Sequence, residues 1–183
     1  LFFPAMVATY AAYLWRLEHL GHNWNLIMTA PVRPFALYAA KFCVVAKMAL
    51  LTQIWLLVLF LIGGKLGAGL TGFPPPEILL WLLRGAVGGL PIIAIQLLLS
   101  MVIRNFALPV LMALGGSILG LMATTSNAGL FWPYSLMLMG MNSNRTEDVM
   151  TGQLPGFFLS CIIFLAIFLL TADAVLAKQD VKA

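Results

Sequence analysis

From Met48 to Gly64 the chain passes seventeen residues without a charge, in the run MALLTQIWLLVLFLIGG. The apolar stretch around it reaches from about Tyr38 to Ile62. A helix rising about 1.5 Å per residue crosses the roughly 30 Å hydrocarbon core in some twenty such residues. A soluble domain has little use for a run like this, and the chain repeats it at about 78–103, 106–125 and 157–172. Overall only 9% of residues are charged, against about 25% in soluble domains. The fold class is therefore all-α and polytopic, a single transmembrane domain over residues 1–183 embedded in a lipid bilayer. The formal charge of +4 does not point to nucleic acid, because the basic residues are scattered singly. They fit cytoplasmic loops instead.

The opening run, about residues 1–14, is too short to span and reads as the end of a span whose start precedes Leu1. Counting that missing first span gives six, with both termini inside. Between the second and third visible runs, Gly63 to Pro76 holds five glycines and three consecutive prolines, which stop a helix and mark a loop. Arg104 and Asn105 alone separate the next two runs, as in an antiparallel hairpin. Gly85, Gly88, Gly89, Gly115, Gly116 and Gly120 offer small faces for close helix contact there. Residues 126–156 form an outer segment in which Gly129 to Met141 is aromatic and Met-rich but too short to span, so it lies in or re-enters the outer interface. Arg16, Arg33, Lys41, Lys47, Arg104, Lys178 and Lys182 fall on one side, and Lys65, Arg84 and Arg145 on the other. The positive-inside rule then places segment 15–37 and the C-terminus in the cytoplasm of a multi-pass plasma (cytoplasmic) membrane protein. Lys41 and Lys47 are read as snorkelling to the inner interface, and Arg84 to the outer one.

All six acidic residues lie in loops, at span ends or in the tail, so no buried carboxylate offers itself for proton or sodium coupling. Energy must come from elsewhere. The chain contains no GxxxxGK[ST], GxSxG or CxxC pattern, so it is not read as an enzyme and should not itself hydrolyse ATP. Glu18, His19 and His22 form an H-x-x-H with a neighbouring acid, but a third ligand is missing and no metal site is assigned; solvated interfacial histidines are the preferred reading. Cys43 and Cys161 sit in apolar runs as small hydrophobes. Gln53, Gln96, Ser100 and Ser117 are membrane-embedded polar residues that line a substrate path or, the favoured alternative, join helix to helix by hydrogen bonds. Met137, Met139 and Met141 are read as packing residues.

The polar interval from Trp15 to Lys41 reads as a short amphipathic helix over Glu18 to Leu26, a turn flanked by Pro31 and Pro34, and the start of the next span. Its residues Glu18, Asn23, Leu26, Pro31, Arg33, Tyr38 and Lys41 form a spacing that resembles the cytoplasmic segment of type-2 ABC transporter permeases, most of all the lantibiotic or bacteriocin self-immunity permeases. The resemblance implies a six-helix exporter domain whose segment 15–37 seats a coupling helix on a separate ABC ATPase, with Glu18, Asn23, Leu26, Pro31 and Arg33 as coupling residues. It also implies an outer segment that caps the exit, ATP and Mg held in the partner ATPase with no cofactor in this chain, and a second permease, identical or related. The expected function is ATP-driven export of an amphipathic peptide or other hydrophobic compound. The alternative is a channel or structural subunit without ATP-driven transport, with a membrane enzyme third.

Overall fold

The computed structural model describes residues 2–19, 33–69, 71–126, 128–143, 148 and 150–179. Among them every regular element is helical. Helix α1 spans Phe3–His19, with Pro4 in a first turn that needs no backbone donor. Helix α2 spans Pro34–Ile62, opening on proline at its first position, and runs on through a π-helical turn at Gly63–Gly67. Helix α3 spans Glu77–Val102 after the three prolines, its first-turn glutamate favourably placed against the helix dipole. Helix α4 spans Ala107–Thr125, and the Asn105 side-chain oxygen accepts the Ala107 N–H at 2.8 Å. A single 3₁₀ turn at Gly129–Phe131 leads into the short α5, Pro133–Gly140, and α6 spans Leu154–Gln179.

Among the described residues four helices are long and apolar enough to cross a membrane: Pro34–Gly67, Glu77–Val102, Ala107–Thr125 and Leu154–Lys178. The chain is thus a multi-pass membrane protein. The helices outrun their apolar runs. Residues 15–19 complete α1, residues 34–37 begin α2, and Asp173 and Lys178 belong to α6 rather than to a tail.

Helix α3 is the centre of the bundle, packed against α1, α2, α5 and α6. Its middle carries Pro91, which leaves the Val87 carbonyl without its helical donor. Around it, Val7, Trp15, Tyr38, Val45, Ile92 and Leu97 are fully buried in one cluster, while Leu136, Met150 and Phe157 form a second. Helix α2 contributes a single stripe, Tyr38, Lys41, Val45, Ala49 and Gln53, spaced three or four apart as one helix face requires. Beyond Gln53 no residue of α2 is buried.

The expected α3–α4 hairpin exists, but its helices splay and touch little. Both pack instead on α1 and on α5. Gly88, Gly116 and Gly120, among the glycines anticipated for close helix contact there, therefore meet a different partner. Added Cβ atoms at Gly88 and Gly120 would lie 2.6 Å from the Leu136 carbonyl oxygen and 3.0 Å from the Tyr134 carbonyl carbon, while one at Gly116 would strike the Tyr134 ring at 2.7 Å. Gly140 of α5 answers in kind, 2.6 Å from the Arg84 carbonyl oxygen. The 129–141 segment packs among the helices: Tyr134 to Met137 are buried, and the Trp132 indole N–H donates to the Gly116 carbonyl at 2.9 Å, halfway along α4.

Candidate functional site: a joint, a wedge and a groove

At the basic end of the bundle, the last turn of α1 meets the second turn of α2. The Lys41 ammonium donates to Glu18 Oε1 at 2.9 Å and to the Leu14 carbonyl at 2.9 Å, and sits 5.0 Å from the centre of the Trp15 ring. The carbonyls at the end of α1 and the indole face both favour a cation. Exposures of 9% for Lys41 and 16% for Glu18 mean that neither reaches freely into solvent. This corrects the reading of Lys41 as a snorkelling residue and gives Glu18 a partner inside its own chain. His19 also has one: its Nε2 lies 3.3 Å from the Ser100 carbonyl of α3. The Arg16 guanidinium stands 6.0 Å from the Phe106 ring at the start of α4. One turn of helix thus touches three other helices at that end. Arg33 is exposed at the start of α2 and caps nothing with its side chain. His22, Asn23, Leu26 and Pro31 lie outside the described residues.

The second feature is the wedge formed by α5. Gln96 of α3 donates from Nε2 to the Tyr134 hydroxyl at 2.5 Å, and Ser135 Oγ donates to the Gly129 and Trp132 carbonyls. These bonds satisfy polar groups at a depth where water is not available, which is the condition for irregular backbone inside a bundle. At the far end Arg84, 5% exposed, donates from Nη2 to Asp148 Oδ2 at 2.8 Å, while Asp148 Oδ1 accepts the Met150 N–H at 2.9 Å. The Arg84 hydrogen bond holds the Asp148 carboxyl below its usual range. Arg84 therefore turns inward to a partner rather than outward to the headgroups, correcting the sequence expectation. Sequence reasoning missed Asp148 altogether. The available signal was a lone arginine within a span and an acid in the facing loop.

The four polar residues proposed as a path are not brought together. Gln96 anchors the wedge, Ser117 Oγ donates to Ala113 in its own helix at 2.6 Å, and Ser100 lies beside the joint through its backbone. Gln53 lines a groove of about 280 Å³ between α2 and α3 that also includes Lys47, Leu50, Gly89 and Ile93. Among the described residues no three His, Cys, Asp or Glu side chains gather as metal ligands.

Residues 1–120, which hold α1, α2, α3 and most of α4, match the sequence model of a family described as ABC-2 family transporter protein. No curated protein and no solved structure matches the chain.

Proposed function

The chain belongs to the ABC-2 family of transporter proteins and is a membrane permease of an ABC transporter, and from that premise we propose that it exports an amphipathic peptide, of the lantibiotic or bacteriocin kind, or another hydrophobic compound out of the membrane. A separate ABC ATPase supplies the energy, and a second permease, identical or related, completes the path. In this reading the basic end faces the cytoplasm, because seven of the ten Lys and Arg residues fall on that side.

The observation that carries the coupling part is the joint. In sequence residues 20–32 connect α1 to α2, and the Glu18–Lys41 pair clasps those two helices to each other. A force delivered to the segment by closure of an ATPase dimer then moves α1 and α2 as one body. Through His19 and Ser100 the same force reaches α3, which carries the wedge. Withdrawal of the wedge opens the far end.

The test is coexpression with the candidate ATPase, affinity purification through the permease, and ATP hydrolysis in proteoliposomes with and without transported compound. The expected result is a stable complex whose stimulated hydrolysis falls in Glu18→Ala combined with disruption of residues 23–26. An assembly that purifies without an ATPase, or unchanged stimulation in that variant, refutes the reading.

A further inference from the structure

Lys47 lies six residues beyond Lys41 on α2, about 9 Å deeper along the helix axis. It has no ion-pair partner among the described residues, whereas Lys41 and Arg84 each have one. The Lys47 side chain is exposed beside the groove, so its ammonium is open to a counter-charge from outside the chain. Lys47 lines the groove of about 280 Å³, and so does Gln53, which is 3% exposed and whose amide, among the described residues, reaches Met141 Sδ at 3.9 Å. A thioether is a weak acceptor, so that amide stays available for a stronger one. The remaining wall is apolar, built from Phe3, Leu50, Leu90 and Ile93. At its floor a Cβ on Gly89 would meet nothing within 4 Å. Leu50 is 43% exposed, so the mouth faces the lipid side. The volume lies just below the usual range for ligand pockets, about 300–1,000 Å³, which suits one aliphatic chain.

We propose that this groove binds a single-chain amphiphile with an anionic head, its head on Lys47 and Gln53 and its chain along Leu50, Gly89 and Ile93. The inference rests on the permease reading only for what happens next, the ATP-driven removal of that molecule. It narrows the substrate class from any hydrophobic compound to one carrying a carboxylate, sulfate or phosphate.

The experiment uses the permease with its ATPase in phosphatidylcholine nanodiscs without nucleotide, and a fluorescently labelled dodecanoate as probe. Unlabelled dodecyl sulfate should displace the probe and dodecyltrimethylammonium should not. Lys47→Gln should weaken binding about tenfold or more, as loss of a charge-assisted hydrogen bond does, and Lys47→Arg should retain it. Gly89→Leu should fill the groove and abolish binding, with apparent Tm and ATPase copurification reporting that it folds. Should it not fold, the Lys47 pair decides. Equal displacement by the cationic chain, unchanged affinity in Lys47→Gln, or displacement by phosphatidylglycerol at the same mole fraction overturns the proposal. Because binding is read without ATP, its failure leaves the permease reading standing. A probe that binds but is never moved by ATP counts against the permease reading alone.

Discussion

Gly88→Ala and Gly89→Ala, adjacent on α3, should have opposite effects on stability. Both replace a buried helical glycine, and both gain the same intrinsic preference, about 1 kcal/mol in a helix interior. Their surroundings differ. The Cβ at position 88 would lie 2.6 Å from the Leu136 oxygen, 2.7 Å from its carbonyl carbon and 2.9 Å from the Met137 nitrogen, whereas the Cβ at 89 meets nothing within 4 Å. Ordinary contact begins at 3.4 Å, so the backbone of α5 must retreat by about 0.8 Å, and it is pinned by the 2.5 Å Gln96–Tyr134 bond, the 2.9 Å Trp132–Gly116 bond and the 2.8 Å Arg84–Asp148 pair. Overpacking of this kind costs about 1–3 kcal/mol. Comparing the two variants cancels the propensity gain, leaving Gly88→Ala less stable than Gly89→Ala by that amount. At about 2–4 °C per kcal/mol for a chain of this size, a 2 kcal/mol gap appears as roughly 4–8 °C in apparent Tm. Detergent-solubilised wild type and both variants, melted side by side at one scan rate, provide the measurement. If Gly88→Ala melts at or above Gly89→Ala, the close approach of α5 to α3 is wrong, and with it the account of the wedge.

Tyr134→Phe should destabilise by about 1 kcal/mol, the net worth of one hydrogen bond, and adding Gln96→Leu should restore most of it, since removing both partners is nearly neutral; a double-mutant cycle in apparent Tm reads the coupling. Lys41→Met, which strands the Glu18 carboxylate, should cost about 1.5–3 kcal/mol and lower transport-coupled hydrolysis more than basal hydrolysis, as an ATPase assay will show. Asp148 has a depressed folded-state pKa, so its contribution is complete above the unfolded value of about 3.9 and is lost as pH falls through the lower folded value. Apparent Tm should therefore carry no Asp148 signal between pH 7 and 5, and the acid-side loss should be smaller in Asp148→Asn, which is less stable at neutral pH because Arg84 is left buried without its counter-charge.

The spanning helices were readable because a long apolar run with at most one charge has few alternatives, and a separate element at Gly129 to Met141 was readable because that stretch is too apolar for a loop and too short to cross. Pairings across elements were not. Lys41 looked like a snorkelling residue because its partner stands 23 positions earlier, and linear spacing does not reveal that the last turn of α1 returns beside the second turn of α2. Arg84 failed for the same reason, with 64 positions to Asp148. Gly88 and Gly120 announced close backbone approach correctly, but a two-residue connection suggested that α3 and α4 approach each other, when the wedge had taken the space. Gln53, Gln96, Ser100 and Ser117 were grouped by chemistry, and the structure sorts them by depth and helix face.

The buried stripe on α2 ends at Gln53, while the helix continues through Gly67. From Tyr38 to Gln53 the held arm is about 22 Å long, and from Gln53 to Gly67 the free arm is about 21 Å. Such a helix is a lever with nearly equal arms and its fulcrum at the groove. A tilt of about 10° imposed at the Lys41 joint swings the far tip by about 4 Å the other way at that rise per residue. Lys65, stacked on Phe73 at 3.6 Å, rides on that tip and takes the loop toward α3 with it. In the proposed coupling, a small stroke at the joint would thereby be delivered, reversed in sense and similar in size, to the opposite tip of α2.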